Sequence, residues 1–600
     1  MIKVQQLVVI FHFFLTFTAL GQSSNGKDFW LMFENGYQRG RQFSIYLSAK
    51  NNTTGYVEIP GISFYQTFSI KADSVVSIIL PNSVETITSD GVEVKGIHIV
   101  AIDDISVYGL NGSTASSDAF LGIPKSQLGL YYMIMSYTNT YNSEAGYSYE
   151  SEFGIVATED NTLVTIIPSI DTHNHLKDIP YSIVLNKYEV YQLKADPFTL
   201  TDLTGTKIVS NKVVSVFGGH VCAFIPVDMP ACNHLIEQLP PVEKWGTDFF
   251  VTPLKPRSGA IVRVLAAYEN TNVIINGELI ATLNQGQFYE LNSIYNSYYH
   301  ISTNNPSLVA QFSKGGSYDS FFSADPFMVL IPPTNQYFGN TIFTTFSLPH
   351  TFDYNYVSII TPQTGIGEIK LDGQNVATNL FQQISSTNYY SAQLPLTQGI
   401  HQLDASNTLF SSLVYGYGPI SDGYGYIAGQ NFPASNAGII IYNNVRKTLC
   451  SGSTIDIGFI STGNVGNITN FEIQLSDQNG SFTNPIKIGN SMTTGNIPCV
   501  IPSNIVSSTN YKIRVVLVSA QIISNIIDKV TIVPNTDLIL QSPENDYSIN
   551  TMQVSRKIIA SNKIYSSSSV VYNSTQNIIL NPGFKAEFGS TFLAKLSSCD

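Results

Sequence analysis

Apolar and polar residues alternate with a period near two along most of this chain, and that rhythm limits what it can fold into. Phe43-Ser44-Ile45-Tyr46-Leu47, Tyr56-Val57-Glu58-Ile59 and Val262-Arg263-Val264-Leu265 all carry it. Successive side chains of a strand point to opposite faces, so each such run offers one face to a core. The runs are short and are punctuated by Asp90-Gly91, Asn276-Gly277, Asp372-Gly373 and Asn479-Gly480. Those dipeptides supply the positive φ angles that tight hairpins require. No amphipathic helix of three or more turns is discernible, so the expected fold class is all-β.

Composition bounds the rest. Charged residues make up 12% of the 600 residues and hydrophobic ones 43%, enough apolar surface to offset chain entropy. The length exceeds a single core and suggests about four domains. A net charge of −13 argues against a nucleic-acid partner, which would call for a basic stripe. At the start, Lys3, the apolar run Leu7 to Leu15 and the small residues of Thr18-Ala19-Leu20-Gly21 read as a signal peptide, residues 1–21, cleaved after Gly21. The run is shorter than the roughly 20 residues of a membrane span. No later segment is long and apolar enough to cross, so no transmembrane segment is expected after signal removal. The expected location is secreted or cell-surface.

A weak repeat recurs about every 100 residues. Its phrases run His98-Ile99-Val100-Ala101 to Ser106-Val107-Tyr108-Gly109, Lys207-Ile208-Val209-Ser210 to Ser215-Val216-Phe217-Gly218, His300-Ile301-Ser302 to Leu308-Val309, and His401-Gln402-Leu403 to Leu413-Val414-Tyr415-Gly416. In the first three a proline phrase and an aromatic strand follow. Tandem β-sandwich-like repeats of about 100 residues fit this spacing, with a propeller-like arrangement as the alternative. The phrases stop near 433 to 446, and a new pattern opens at Leu449-Cys450-Ser451-Gly452. The expected layout is therefore a repeat region at 22–432, an immunoglobulin-like β-sandwich at 440–535 and a small C-terminal β module at 550–600.

Three resemblances support that layout. Gly26-Lys27-Asp28-Phe29-Trp30-Leu31, Thr54-Gly55-Tyr56 and Cys232-Asn233-His234-Leu235-Ile236-Glu237-Gln238-Leu239-Pro240-Pro241 followed by Trp245-Gly246 resemble the IgGFc-binding protein N-terminal family over about residues 24–432. That resemblance implies an extracellular β-rich binding region. Asn470 to Phe482 with Ile501-Pro502-Ser503 and Tyr511 to Val515 is similar to an immunoglobulin-like module of exported Bacteroidetes proteins. Ile578 to Phe584 with Gly589 to Lys595 looks like the stacked-β coathanger module of the same bacteria. The last two imply spacing and attachment.

Candidate chemical sites are few. His220-Val221-Cys222 and Cys232-Asn233-His234 could form a zinc site, a Cys222–Cys232 disulfide or free thiols; an oxidising compartment favours the disulfide. A Cys450–Cys499 bridge is possible, which would leave Cys599 over. His173-Asn174-His175, with Asp171 and Asp178, reads as an exposed loop rather than a metal site, and Asp477-Gln478-Asn479-Gly480 as a turn rather than a calcium loop. No hydrolase or phosphate-binding motif is present, so no catalytic residue, metal or cofactor is expected. The 34 tyrosines, clustered at Tyr131-Tyr132, Tyr298-Tyr299, Tyr389-Tyr390 and Tyr424-Gly425-Tyr426, suit contact with a protein or glycan. They also suit half-buried strands. The reading is a non-catalytic surface or extracellular binding and adhesion protein. A polysaccharide-active hydrolase with a carboxylate pair, or a structural matrix component, are the alternatives. The sequence leaves ligand and oligomeric state open.

Overall fold

The computed structural model describes residues 22–37, 41–142, 146–227, 229–293, 297–347, 350–418, 421–432, 438–443, 445–462, 470–520 and 522–596. The expected leader, 1–21, and Cys599 lie outside them. Among the described residues every helix is a three-residue 3-10 turn, and none is long and apolar enough to cross a membrane. The rest is strand.

One strand plan recurs four times. In the first unit the 16-residue strand Ile97–Gly112 is central. Its first half pairs with Gly26–Leu31 and Thr53–Ile59, its second half with Gln42–Ala49 and Asp118–Leu121; Phe64–Ile70 and Ser74–Leu80 lie at the edges. A single strand thus serves two faces, and the sheet curls. The bend falls at a bulge, where the register jumps from Asp28↔Val100 to Gly26↔Ile105. Such an insertion kinks a strand and sharpens its twist. Asp103 and Asp104 sit there, polar residues at a point that the ladder leaves unpaired.

The second unit repeats the plan around Lys207–Phe224 and the third around Tyr299–Ser313, with register jumps at the same place. In the fourth the long strand breaks into Ile400–Ala405 and Ser411–Gly418, and its sheet separates into sheets of four and five strands. Ser406-Asn407-Thr408 occupies the break, the polar stretch that only bulges in the other units. These long strands are the repeat phrases of the sequence.

The last short strands of the units, Asp118–Leu121, Cys232–Gln238, Met328–Ile331 and Asp422–Ile427, pack against one another in cyclic order. Side chains at this centre replace the missing ladder. Asp118 accepts from the backbone N–H groups of Ile236 and Met328, and Asp422 from the N–H and hydroxyl of Ser117. Asn233 donates to the carbonyls of Ser117, Pro326 and Gly423, so one amide ties all four units. The ring is clasped shut by Gln22–Ser23 pairing with Asn431–Phe432 and by Ser24 and Gln430, which exchange bonds.

Beyond the ring, a three-stranded sheet (Gly438–Ile441, Thr454–Thr462, Gly495–Val500) faces a six-stranded one built on Ser508–Leu517, Phe471–Leu475 and Ile527–Val533. Ile457, Phe459, Ile473, Val515 and Ile532 fill the space between. The chain ends in a β-solenoid stack: Asp537–Gln541, Thr551–Ser561, Ser569–Leu580 and Thr591–Leu596 pair in parallel over Leu540, Ile558, Val570 and Tyr572.

Several local expectations change. Asn276-Gly277 and Asp372-Gly373 turn hairpins, with φ of 52° and 88° and of 51° and 76°. Asp90-Gly91 does not: Gly91–Val94 leaves its own sheet and pairs with Glu189–Lys194 of the second unit. Phe43 to Leu47 and Val262 to Leu265 alternate in sequence but are buried on both faces, because the curled sheet covers them from inside and the neighbouring unit from outside. Cys499 is a free, buried thiol, so the Cys450–Cys499 bridge is not made.

Candidate ligand-binding cleft

A disulfide joins Cys222 and Cys232, at the end of the second long strand where it turns into the central strand. The zinc alternative therefore lacks its thiolates. His220 is neutral and structural: Cys222 N–H donates to Nδ1 and Nε2 lies 3.1 Å from the Thr138 carbonyl. Burial pushes it down to about 3. His234 is fully buried 4.0 Å from Glu152, with burial again lowering its pKa. Among the described residues no group of three or more His, Cys, Asp or Glu could hold a metal ion.

His173 and Asn174 are exposed, while His175 stacks on Tyr181 at 3.5 Å and lies 3.0 Å from Asp90. Three side chains, Tyr191, Asn174 and His175, hydrogen-bond the Asp90 carboxylate and hold it below its usual range against the opposing effect of burial. Asp171 accepts from Lys177 N–H, closing a loop. Asp477 likewise accepts from the N–H groups of Asn479 and Ser481, a turn. The tyrosine clusters divide. Tyr131, Tyr132, Tyr424 and Tyr426 are fully buried, so the strand reading applies to them, whereas Tyr298, Tyr299, Tyr389 and Tyr390 are only partly covered.

A large concavity lies elsewhere, in a cleft of about 810 Å³ between the ring and the sheets that follow it. Pockets for small ligands and sugars span roughly 300 to 1,000 Å³. The ring wall carries Trp245, Tyr268, Glu269, Asn270, Asn305 and Asn335; the opposite wall carries Lys512, Ile523, Asn525, Ile526 and Asp528. Both walls are fixed. Ile440 of the second wall, with Tyr442 and Ile460 behind it, packs into an apolar core shared by the second and third units, and Asn270 donates across the cleft to Asp528 at 3.2 Å. Trp245 is almost wholly buried, and its indole N–H donates to the Pro240 carbonyl. Glu243 also lines the cleft, its carboxyl pushed up to about 7 by burial.

No local motif marks this cleft, because its residues come from eight separate stretches between 242 and 528. Only Trp245 and Lys512 belong to phrases that stand out in the sequence.

A family model described as IgGFc binding protein matches residues 118–416. That span is shorter than the region the motifs suggested, and the opening Gly26 to Leu31 phrase lies outside it. A human protein described as IgGFc-binding protein is 26% identical over 375 residues, covering 60% of this chain and 6% of its own length. The chain thus spans a small fraction of that relative. Among solved structures, trypsin-activated alpha-2-macroglobulin from Escherichia coli aligns at 9% identity and a TM-score of 0.13, covering 85% of this chain and 49% of that one. At that score the likeness carries no argument. What the sequence matches establish is that the N-terminal and middle part of this chain contains an IgGFc-binding-like domain.

Proposed function

We propose that this is an exported, non-catalytic binding or adhesion protein of the cell surface or extracellular space, and that its ligand sits in the 810 Å³ cleft. Residues 1–21 act as the signal peptide. Residues 22–432 form four copies of one sandwich-like module about a common axis, 440–535 an immunoglobulin-like spacer and 550–600 an attachment stack. The observation that carries the reading is a preformed cleft of ligand size whose walls are held together by a shared apolar core. A pre-organised site loses little entropy when it binds. The name of the human relative makes the Fc part of an antibody one candidate partner, alongside other extracellular proteins and glycans.

The test is direct binding of the secreted full chain, immobilised, to a glycan array and to antibody Fc. Saturable binding that falls when Lys512→Glu and Asn335→Ala are introduced supports the reading. A wild-type chain that binds nothing on either panel would remove it. Glu243, with its raised carboxyl, and Glu269 in the same cleft favour one second reading, a glycan hydrolase. That reading requires a glycan shortened by the chain and left intact by Glu243→Gln.

A further inference from the structure

We infer that the cleft takes a sugar chain of uncharged or amine-bearing residues, an inference that rests on the proposed binding role and narrows its ligand. Three features of the walls point there.

The first is the state of the strand edge inside the cleft. Gly438–Ile441 is the edge strand of its sheet, and such an edge ordinarily recruits an extended peptide through its free backbone groups. Here Asn525 caps its Ile441 end: its side-chain oxygen accepts from Ile441 N–H at 2.7 Å and its amide donates to the Ile441 carbonyl at 3.2 Å. That amide stands where a peptide strand would pair with Ile441, which shortens the free edge to Ile439 and leaves most of the recognition to side chains.

The second is the kind of side chain offered. Asn270 and Asn335 are exposed on the ring wall, and amides, which both donate and accept, match the hydroxyls of a sugar. Tyr268 is half-buried beside them, an amphipathic ring of the kind that stacks on the apolar face of a pyranose. Ile523 and Ile526, 49% and 40% exposed, give the opposite wall apolar area for the same purpose.

The third is charge. Glu269 and Asp528 face one cleft cation, Lys512, and Glu243, its carboxyl raised by burial to about 7, adds only part of a charge; Lys447 reaches Asp528 from 3.9 Å outside the lining. Excess carboxylate repels a uronate or sialic acid and favours a neutral or cationic sugar.

The experiment uses the secreted full chain and four probes: oligomers of N-acetylglucosamine, of glucosamine, of mannose and of galacturonate. Binding of at least one of the first three, with the galacturonate oligomer weakest, is expected. Asn335→Ala, at an exposed site, should weaken it about fivefold, the scale of one hydrogen bond, and Tyr268→Ala by more. The exposed Asn174→Ala, outside the cleft, should change nothing. Preference for galacturonate, or sugar binding indifferent to both cleft variants, overturns the inference while leaving a binding protein. So does a chain that binds antibody Fc stripped of its glycan and no sugar. A chain that binds no probe of any class overturns the inference and the binding role together.

Discussion

Asn233 is one side chain with three carbonyl partners, each in a different unit. Its neighbours Cys232 and His234 make the stretch look like a metal motif in the sequence, yet its role is to join units; only the assembled ring reveals that. Asn233→Ala strands those buried groups and should cost about 3 kcal/mol, read as a lower urea midpoint with unchanged m-value. The histidines that open three repeat phrases have a local explanation instead. His98, His300 and His401 stand opposite Trp30, Phe250 and Phe343 in the ladder, each bonded to a carboxylate: Glu58, Asp248 and Asp372. Glu152 gives the clearest pH dependence. Burial raises its carboxyl from 4.5 to about 8, with Lys194 and Arg41 opposing and Glu150 and Glu85 reinforcing the shift. The buried Glu34 beside it is raised for the same reason. A raised carboxyl penalises the native state only once it must ionise, so stability is full below pH 4.5 and declines as pH climbs through 8. Glu152→Gln should therefore leave the melting temperature at pH 4.5 unchanged and raise stability at pH 9 by on the order of a few kcal/mol. An equal rise at both pH values would contradict the assignment.

At the scale of elements, the long bent strand was the most legible feature. Its phrase recurs because every unit needs an apolar half, a polar kink and a second apolar half, and that demand is written locally. The pairing of Gly91–Val94 with the second unit was not legible, since an Asp-Gly turn signal says only that the chain bends. Nor was the closing of the ring, which depends on contacts between residues more than 400 positions apart. The Cys222–Cys232 disulfide closes a loop of 10 residues. Replacing both with serine should cost about 3 kcal/mol by the loop-entropy relation, visible as a lower thermal midpoint that reductant no longer shifts. An unchanged midpoint would mean that the central contacts already hold this turn.

Across the whole molecule, the ring and the following sheets are one packed body at Ile440, Tyr442 and Ile460. A fragment ending at 432 therefore leaves an apolar face bare. It should self-associate and melt lower than a fragment ending at 535, by light scattering and calorimetry; equal behaviour would show that the shared core contributes little. The cleft exists only in the longer fragment, which is why no single stretch of sequence announced it. The clasp between Gln22–Ser23 and Asn431–Phe432 carries a last consequence. A circle of units has no obligatory first member, so a gene that joins 432 to 22 and opens between the first and second units should encode the same ring. The ring is thus a cassette that leaves and re-enters a host chain at nearly one point. Evolution can splice such a cassette into the loop of another protein without prying that loop apart.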